Sequence, residues 1–108
     1  MSFEEFRSLI QSKDIQIIDV REPDEIEQEG SIPNAVNIPL KELSSALSLP
    51  PDKFQALYSL DISEPEDNRL VFSCRSGVRN SMALTIALEL GFINSRHYGG
   101  GYSEWSER

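Results

Sequence analysis

The stretch from Leu70 to Gly91 leaves this chain few choices of architecture. Leu70-Val71-Phe72 is a short apolar run with a β-branched residue and an aromatic, bounded by polar residues, and it reads as a buried strand of a parallel sheet. From Asn80 onward, Met82, Ala83, Ile86, Ala87 and Leu90 recur at helical spacing, with Leu84 and Leu88 widening the apolar surface. Gly91 is a stop signal, so a mostly buried helix is predicted. Between strand and helix lie the six residues Cys74 to Arg79. In a strand-loop-helix unit of this kind the natural ligand site lies outside the carboxyl end of the strand.

The composition of that loop points to an anion. Its backbone N–H groups can be aimed inward, and the following helix adds partial positive charge at its N-terminus. Arg75 and Arg79 supply full charges, and Gly77 lets the backbone turn tightly and approach a ligand closely. Cys74, the only cysteine, stands at the edge of this field, where a thiol is expected to lose its proton more readily. The competing reading is a buried, inert thiol acting as a small hydrophobe. Its place at a strand end, with two arginines within five residues and a helix behind, favours a reactive thiol.

A chain of 108 residues is read as one domain, 1–108, with room for a core but not for a second unit. Its formal charge of −8 repels a polyanion, so no nucleic-acid partner is expected. One cysteine excludes an intrachain disulfide and a Cys-Cys zinc site, and it suggests a reducing compartment. It also means that any sulfur adduct formed on Cys74 must be discharged by an outside thiol or nucleophile. No apolar run approaches the roughly 18 residues of a membrane span, so no membrane partner is expected. The early acids Glu4 and Glu5 are unlike a secretory signal or transit peptide, and a cytoplasmic location is the simplest expectation.

Taken in order, Ser2 and Glu5 form a capping-box pattern ahead of a short helix with Phe3, Phe6, Leu9 and Ile10 on one face. Ile15 to Val20 reads as an interior strand ending at Asp19-Val20-Arg21. If this strand neighbours the one ending at Cys74, Asp19 and Arg21 fall beside the cysteine loop as supporting charges, with Asp19 able to orient an arginine. The plainer alternative is that the two only cap and pair in a turn. Pro23 opens another short helix that Gly30 ends, and its glutamates read as a solvated face. Val36-Asn37-Ile38 makes a brief strand stopped by Pro39, and Leu40, Leu43 and Leu47 mark a helix. After Pro50-Pro51, Asp52 is placed to cap a further helix with Phe54, Leu57 and Tyr58 on one face. The acidic stretch 61–68 reads as a surface loop rather than a metal site, and no metal or cofactor is expected. Ser95 to Tyr98 is a last strand, Gly99-Gly100-Gly101 a turn, and Tyr102 and Trp105 pack a terminal helix. His97, the lone histidine, is read as packed and hydrogen-bonded rather than as a general base. Helices alternating with short strands predict an α/β fold, a parallel sheet with helices on both faces.

Four blocks carry a resemblance: Ile-Asp-Val-Arg-Glu at 18–22, Gly-Ser-Ile-Pro-Asn-Ala-Val-Asn-Ile-Pro at 30–39, Cys-Arg-Ser-Gly-Val-Arg at 74–79 and Gly-Gly-Tyr-Ser-Glu-Trp at 100–105. In this order, and spanning nearly the whole chain, they resemble the single-domain rhodaneses. Lys41-Glu42-Leu43 through Phe54 to Tyr58 is further similar to the corresponding segment of animal thiosulfate:glutathione sulfurtransferases.

The resemblance implies a five-stranded parallel sheet, a monomer, and a two-step sulfur transfer from thiosulfate to a thiol acceptor, glutathione or thioredoxin. In that reaction the Cys74 thiolate takes the outer sulfur, sulfite leaves, and a persulfide remains for the acceptor. The catalytic residues would be Cys74 and Arg79, and Arg75, Ser76, Gly77 and Val78 would bind the donor. Within that set Arg75 receives the dianion and Arg79 braces the loop. Two departures from the pattern stand out. Ser31 takes the place of a histidine found in many members, and Asn80 that of a serine, which bears on the helix cap.

Two rivals share the cysteine. Phosphatases and arsenate reductases of related folds also pair a cysteine with an arginine round an anion loop. Their loops normally hold one residue more than the four, Arg75 to Val78, that intervene here. The shorter cradle suits a sulfur atom better than a phosphoryl group, and the loop offers no acid to protonate a leaving alcohol. A non-catalytic binding module, or a sulfur relay to a protein thiol, is the other alternative; related modules often lack the cysteine that is present here.

Overall fold

A computed structural model of the chain describes residues 2–12, 15–58, 69–74, 78–92 and 94–107, and at Pro51, Val78 and Asn80 the backbone alone. The helices are α1 (Phe3–Ser12), α2 (Pro23–Glu29), α3 (Leu40–Leu47), α4 (Pro51–Tyr58), α5 (Val78–Glu89) and α6 (Gly101–Glu107). The strands are β1 (Gln16–Asp19), β2 (Val36–Asn37), β3 (Leu70–Ser73) and β4 (Arg96–His97). They form one sheet in the order β2-β1-β3-β4, every pair parallel.

Side-chain alternation on the two central strands divides the core. Ile18, Val20, Leu70, Phe72 and Cys74 face Leu43, Ala46 and Leu47 of α3, Phe54 of α4, and Ala83 and Ala87 of α5. Ile17 and Val71 point the other way, into a cluster with Phe6 of α1, Ile32 and Tyr98, flanked by Tyr102 and Trp105 of α6. A period of two thus lays helices on both faces, as the alternation of elements predicts. On the second face Phe6 stacks on Tyr98 at 4.2 Å between ring centroids and meets Trp105 edge-on at 5.9 Å.

The ends of the helices follow local chemistry. Ser2 Oγ accepts the Glu5 N–H at 3.1 Å, the first half of the predicted capping box. At the end of α5, Gly91 takes a φ of 97°. The Phe92 N–H then reaches the Ala87 carbonyl at 2.9 Å and the Gly91 N–H that of Leu88 at 3.1 Å, a Schellman closure that only a residue at ease with positive φ supports.

Several expectations are corrected. The sheet has four strands among the described residues, not the five implied by the resemblance; the residue patterns themselves pick out these four and no other. Helix α5 begins at Val78, two residues earlier than its apolar period suggests, which puts Arg79 in the first turn. Nor is it mostly buried. Met82, Leu88 and Leu90 are 55%, 45% and 38% exposed, because the small Ala83 and Ala87 form the line of closest approach to the sheet. Helix α4 begins at Pro51, whose fixed φ suits a first helical residue, so Asp52 lies in the first turn rather than at the cap. Leu57 is turned outward while Phe54 packs inward. The acidic stretch 61–68 lies outside the described residues.

Candidate active site

Parallel strands present all their carboxyl ends at one rim. Asp19 closes β1 and Ser73 closes β3 as register partners, and the Val20 N–H donates to the Ser73 carbonyl at 2.8 Å. Cys74 follows directly. It is 1% exposed, packed into the first core cluster, and not part of a disulfide. Its carbonyl accepts the Tyr102 N–H at 2.7 Å, which ties the start of α6 to the cysteine backbone.

Asp19 and Arg21 do come to this rim, and they pair with each other. The Arg21 backbone N–H and Nε donate to Asp19 Oδ1, each at 3.0 Å, while Nη2 reaches Oδ2 at 2.7 Å. Both residues are buried, Arg21 completely. A buried ion pair is costly unless the remaining donors find partners. Here Nη2 also reaches the Gly30 carbonyl at 2.9 Å and the guanidinium lies over the Tyr102 ring at 4.5 Å, while the buried Nη1, 3.7 Å from Glu29, makes no hydrogen bond among the described residues. Arg21 is thus held at the rim by Asp19, and the contact itself is the pair in a turn of the plainer reading. Asn37, read from the sequence only as a strand residue, adds a second brace: its Nδ2 donates to the carbonyls of Asp19 at 3.0 Å and Arg21 at 2.8 Å.

Arg79, in the first turn of α5, turns to a partner that pattern reading missed. Its Nη2 donates to Glu25 Oε2 at 2.9 Å and its Nη1 to Glu25 Oε1, a two-pronged pair in which both side chains are part-buried. Glu25 Oε1 also accepts the Glu22 N–H at 3.1 Å at the start of α2. The Arg79 hydrogen bonds hold the Glu25 carboxyl down at about 2, against an opposing push from burial and with help from the Glu22 N–H. Arg79 in turn is raised above its ordinary value, first by the Glu25 hydrogen bond, with the charges of Cys74 and Asp19 contributing.

The reading of the α2 glutamates as a purely solvated face is thus corrected for Glu25. The contact joins residues 54 apart in the chain, so no local spacing announces it. The one available hint is that both lie in the first helical turn after a strand end, hence at the same rim.

Arg75, Ser76 and Gly77, and the side chains of Val78 and Asn80, lie outside the described residues. Ser31 is exposed. His97 sits on β4 beside Phe72 and is half-buried as expected, but its buried Nδ1 has no hydrogen-bond partner among the described residues, so the expected bond is absent there. Among the described residues no group of histidine, cysteine and carboxylate side chains is arranged to hold a metal ion.

This arrangement is a buried free thiol at a strand end, an arginine clamped in the following helical turn, and a buried ion pair at the same rim. The chain as a whole is similar to known proteins. The family model described as "Rhodanese-like domain" matches residues 2–108. The human thiosulfate:glutathione sulfurtransferase is 44% identical over 108 residues, covering all of this chain and 93% of that protein. A mouse thiosulfate sulfurtransferase/rhodanese-like domain-containing protein 3 is 44% identical over 97% of this chain, which spans 66% of its length. Among solved structures, a human single-domain sulfurtransferase superposes with a TM-score of 0.90 at 44% identity, covering 100% of this chain and 95% of that one.

Proposed function

Since the chain belongs to the rhodanese-like domain family, we propose that it is a thiosulfate sulfurtransferase, with Cys74 as nucleophile and glutathione as the acceptor thiol. The observation that carries this reading is the placing of the single cysteine at the carboxyl end of β3, directly ahead of a helix whose first turn holds Arg79.

The chemistry runs in two displacements. The Cys74 thiolate attacks the outer sulfur of thiosulfate, a new S–S bond forms, and the old one breaks with its electron pair leaving on sulfite. A thiolate of glutathione then attacks the outer sulfur of the Cys74 persulfide, and Cys74 departs as the thiolate. No redox partner is consumed, because the sulfane sulfur passes at constant oxidation level. Each step places negative charge on sulfur at Cys74, which a guanidinium already fixed by Glu25 stabilises without rearranging. Arg75 receives the dianionic donor, Ser76, Gly77 and Val78 supply the backbone cradle, and Arg79 adds standing positive charge. The two hydrogen bonds of Arg79 to Glu25 support that division, since they engage its Nη atoms.

The lone cysteine further favours a reducing compartment, and we place the activity in the cytosol. Thioredoxin is the second thiol to be compared as acceptor, and the working unit is a monomer.

The test is intact-mass spectrometry after incubation with thiosulfate. The expected result is a gain of one sulfur atom on Cys74, removed by glutathione and absent in Cys74→Ser. An unchanged mass, or turnover retained by Cys74→Ser, would overturn the assignment. Organellar staining of the full-length chain would overturn the cytosolic placement.

A further inference from the structure

We propose that Glu25 is a positioning residue of the sulfur-transfer site: its two-pronged hold on Arg79 fixes that guanidinium at the start of α5, the helix that follows Cys74. The role rests on the reading of Cys74 as nucleophile.

An arginine side chain has many rotamers to lose, and one free at a helix start extends into water. Whether Arg79 lends charge to the loop thus depends on what holds it. Glu25 is suited to the task because it is itself held. Its Oε1 accepts the Glu22 N–H at 3.1 Å, so the carboxylate cannot follow the arginine outward. Helix α2, which carries Glu25, buries none of its residues and is fastened by polar contacts at both ends. Its far end is fixed by Tyr102 Oη, which donates to the Glu29 carbonyl at 2.6 Å, and by Arg21 Nη2, which donates to the Gly30 carbonyl. Those two residues belong to the same brace that underlies Cys74. The helix therefore works as a rigid strap from the buried Asp19–Arg21 pair to Arg79.

Among the described residues, the other charged groups around the pair leave Glu25 as the one that fixes Arg79. Asp19 is committed to Arg21 at 2.7 Å, Glu29 stands 3.7 Å from Arg21, and Glu22 stands 3.7 Å from Lys41. Glu25 stays ionised at every working pH, so the hold is constant rather than switched.

The experiment compares alkylation of Cys74 by anionic iodoacetate with alkylation by neutral iodoacetamide, in the full chain. The ratio of the two rates reads positive charge at the nucleophile and is insensitive to a simple loss of stability. In Glu25→Gln and Glu25→Ala the ratio is expected to fall about three-fold or more, and Glu25→Asp to recover part of it. Arg79→Ala should fall at least as far, and Glu25→Ala in that background should change nothing further. A ratio that stays at the wild-type value or rises in both Glu25 variants would overturn the proposal. So would an effect that adds fully to Arg79→Ala. Should Glu25→Ala fail to fold, the near-isosteric Glu25→Gln decides. A wild-type Cys74 that resists both reagents would instead overturn the nucleophile on which this role depends.

Discussion

The Tyr102 N–H donates to the Cys74 carbonyl at 2.7 Å, so the first turn of α6 holds the backbone of the lone cysteine. The same tyrosine lies against the Arg21 guanidinium at 4.5 Å and closes on the Glu29 carbonyl through its hydroxyl at 2.6 Å. One side chain thus joins the terminal helix, the buried ionic brace and the end of α2.

Removing its parts one at a time separates these roles. Tyr102→Phe loses one hydrogen bond and keeps the ring, and is expected to cost about 1 kcal/mol in urea unfolding with little change in turnover. Tyr102→Ala also forfeits the ring under Arg21 and the packing of α6, about 3 kcal/mol, and loosens the backbone hold on Cys74. Its kcat should fall together with stability. Equal kcat values for the two variants would show that α6 docks without the ring.

The Asp19–Arg21 pair is expected to be far more costly to halve than to replace. Asp19→Ala leaves a fully buried guanidinium without its counter-ion, and about 3–5 kcal/mol should be lost in chemical denaturation. Adding Arg21→Met to Asp19→Ala removes the stranded charge and should recover part of that loss. If the double variant proves less stable than the single one by the full cost of Arg21→Met alone, the pair is not coupled.

How much of this was legible in the sequence depends on the range over which each signal acts. The mostly apolar runs Ile15 to Val20 and Leu70 to Phe72 announce buried strands, and parallel pairing then brings Asp19 and Cys74 to one rim. What could not be read was phase. Met82 and Ala83 both fit an apolar helical stripe, yet the alanines sit at the contact and Met82 is outside, a choice made by how closely α5 can approach the sheet. Full burial of Arg21 was equally hidden, because it depends on Gly30 and Tyr102 arriving from distant segments. Gly30 shows how tight that arrangement is. It has a φ of 89°, and a Cβ there would stand 2.9 Å from Tyr102 Oη. Glu25 looked like any other acid on an acidic helix until the fold set it against Arg79.

That contact has a pH signature. The folded Glu25 titrates at about 2, below its ordinary 4.5, chiefly because Arg79 hydrogen-bonds the charged form. A carboxylate lowered in this way contributes stability that is fully present above pH 4.5 and is lost as pH falls through about 2. After allowance for the partial exposure of both side chains, the contribution is about 1 kcal/mol. Wild type is therefore expected to exceed Glu25→Gln by that margin near neutrality, with the two unfolding curves converging as the solution is acidified towards pH 2. A gap that stays constant across this range would mean that Glu25 stabilises by shape, not by charge.

Ser73 offers the opposite kind of test. It is wholly buried between Asp19 of β1 and the chain leaving β4, immediately ahead of Cys74, and its Oγ has no hydrogen-bond partner among the described residues. A hydroxyl buried without a partner costs about 1–3 kcal/mol of desolvation, whereas the backbone bonds that hold Ser73 in the sheet do not involve its side chain. Ser73→Ala removes the orphaned group with almost no change of volume. It should leave urea stability unchanged or raise it by about 1 kcal/mol, with the rate of persulfide formation on Cys74 preserved. A clear loss of stability would mean that the hydroxyl is satisfied in solution by an ordered water at the rim. A loss of sulfur transfer at unchanged stability would instead place Ser73 among the groups that orient the loop.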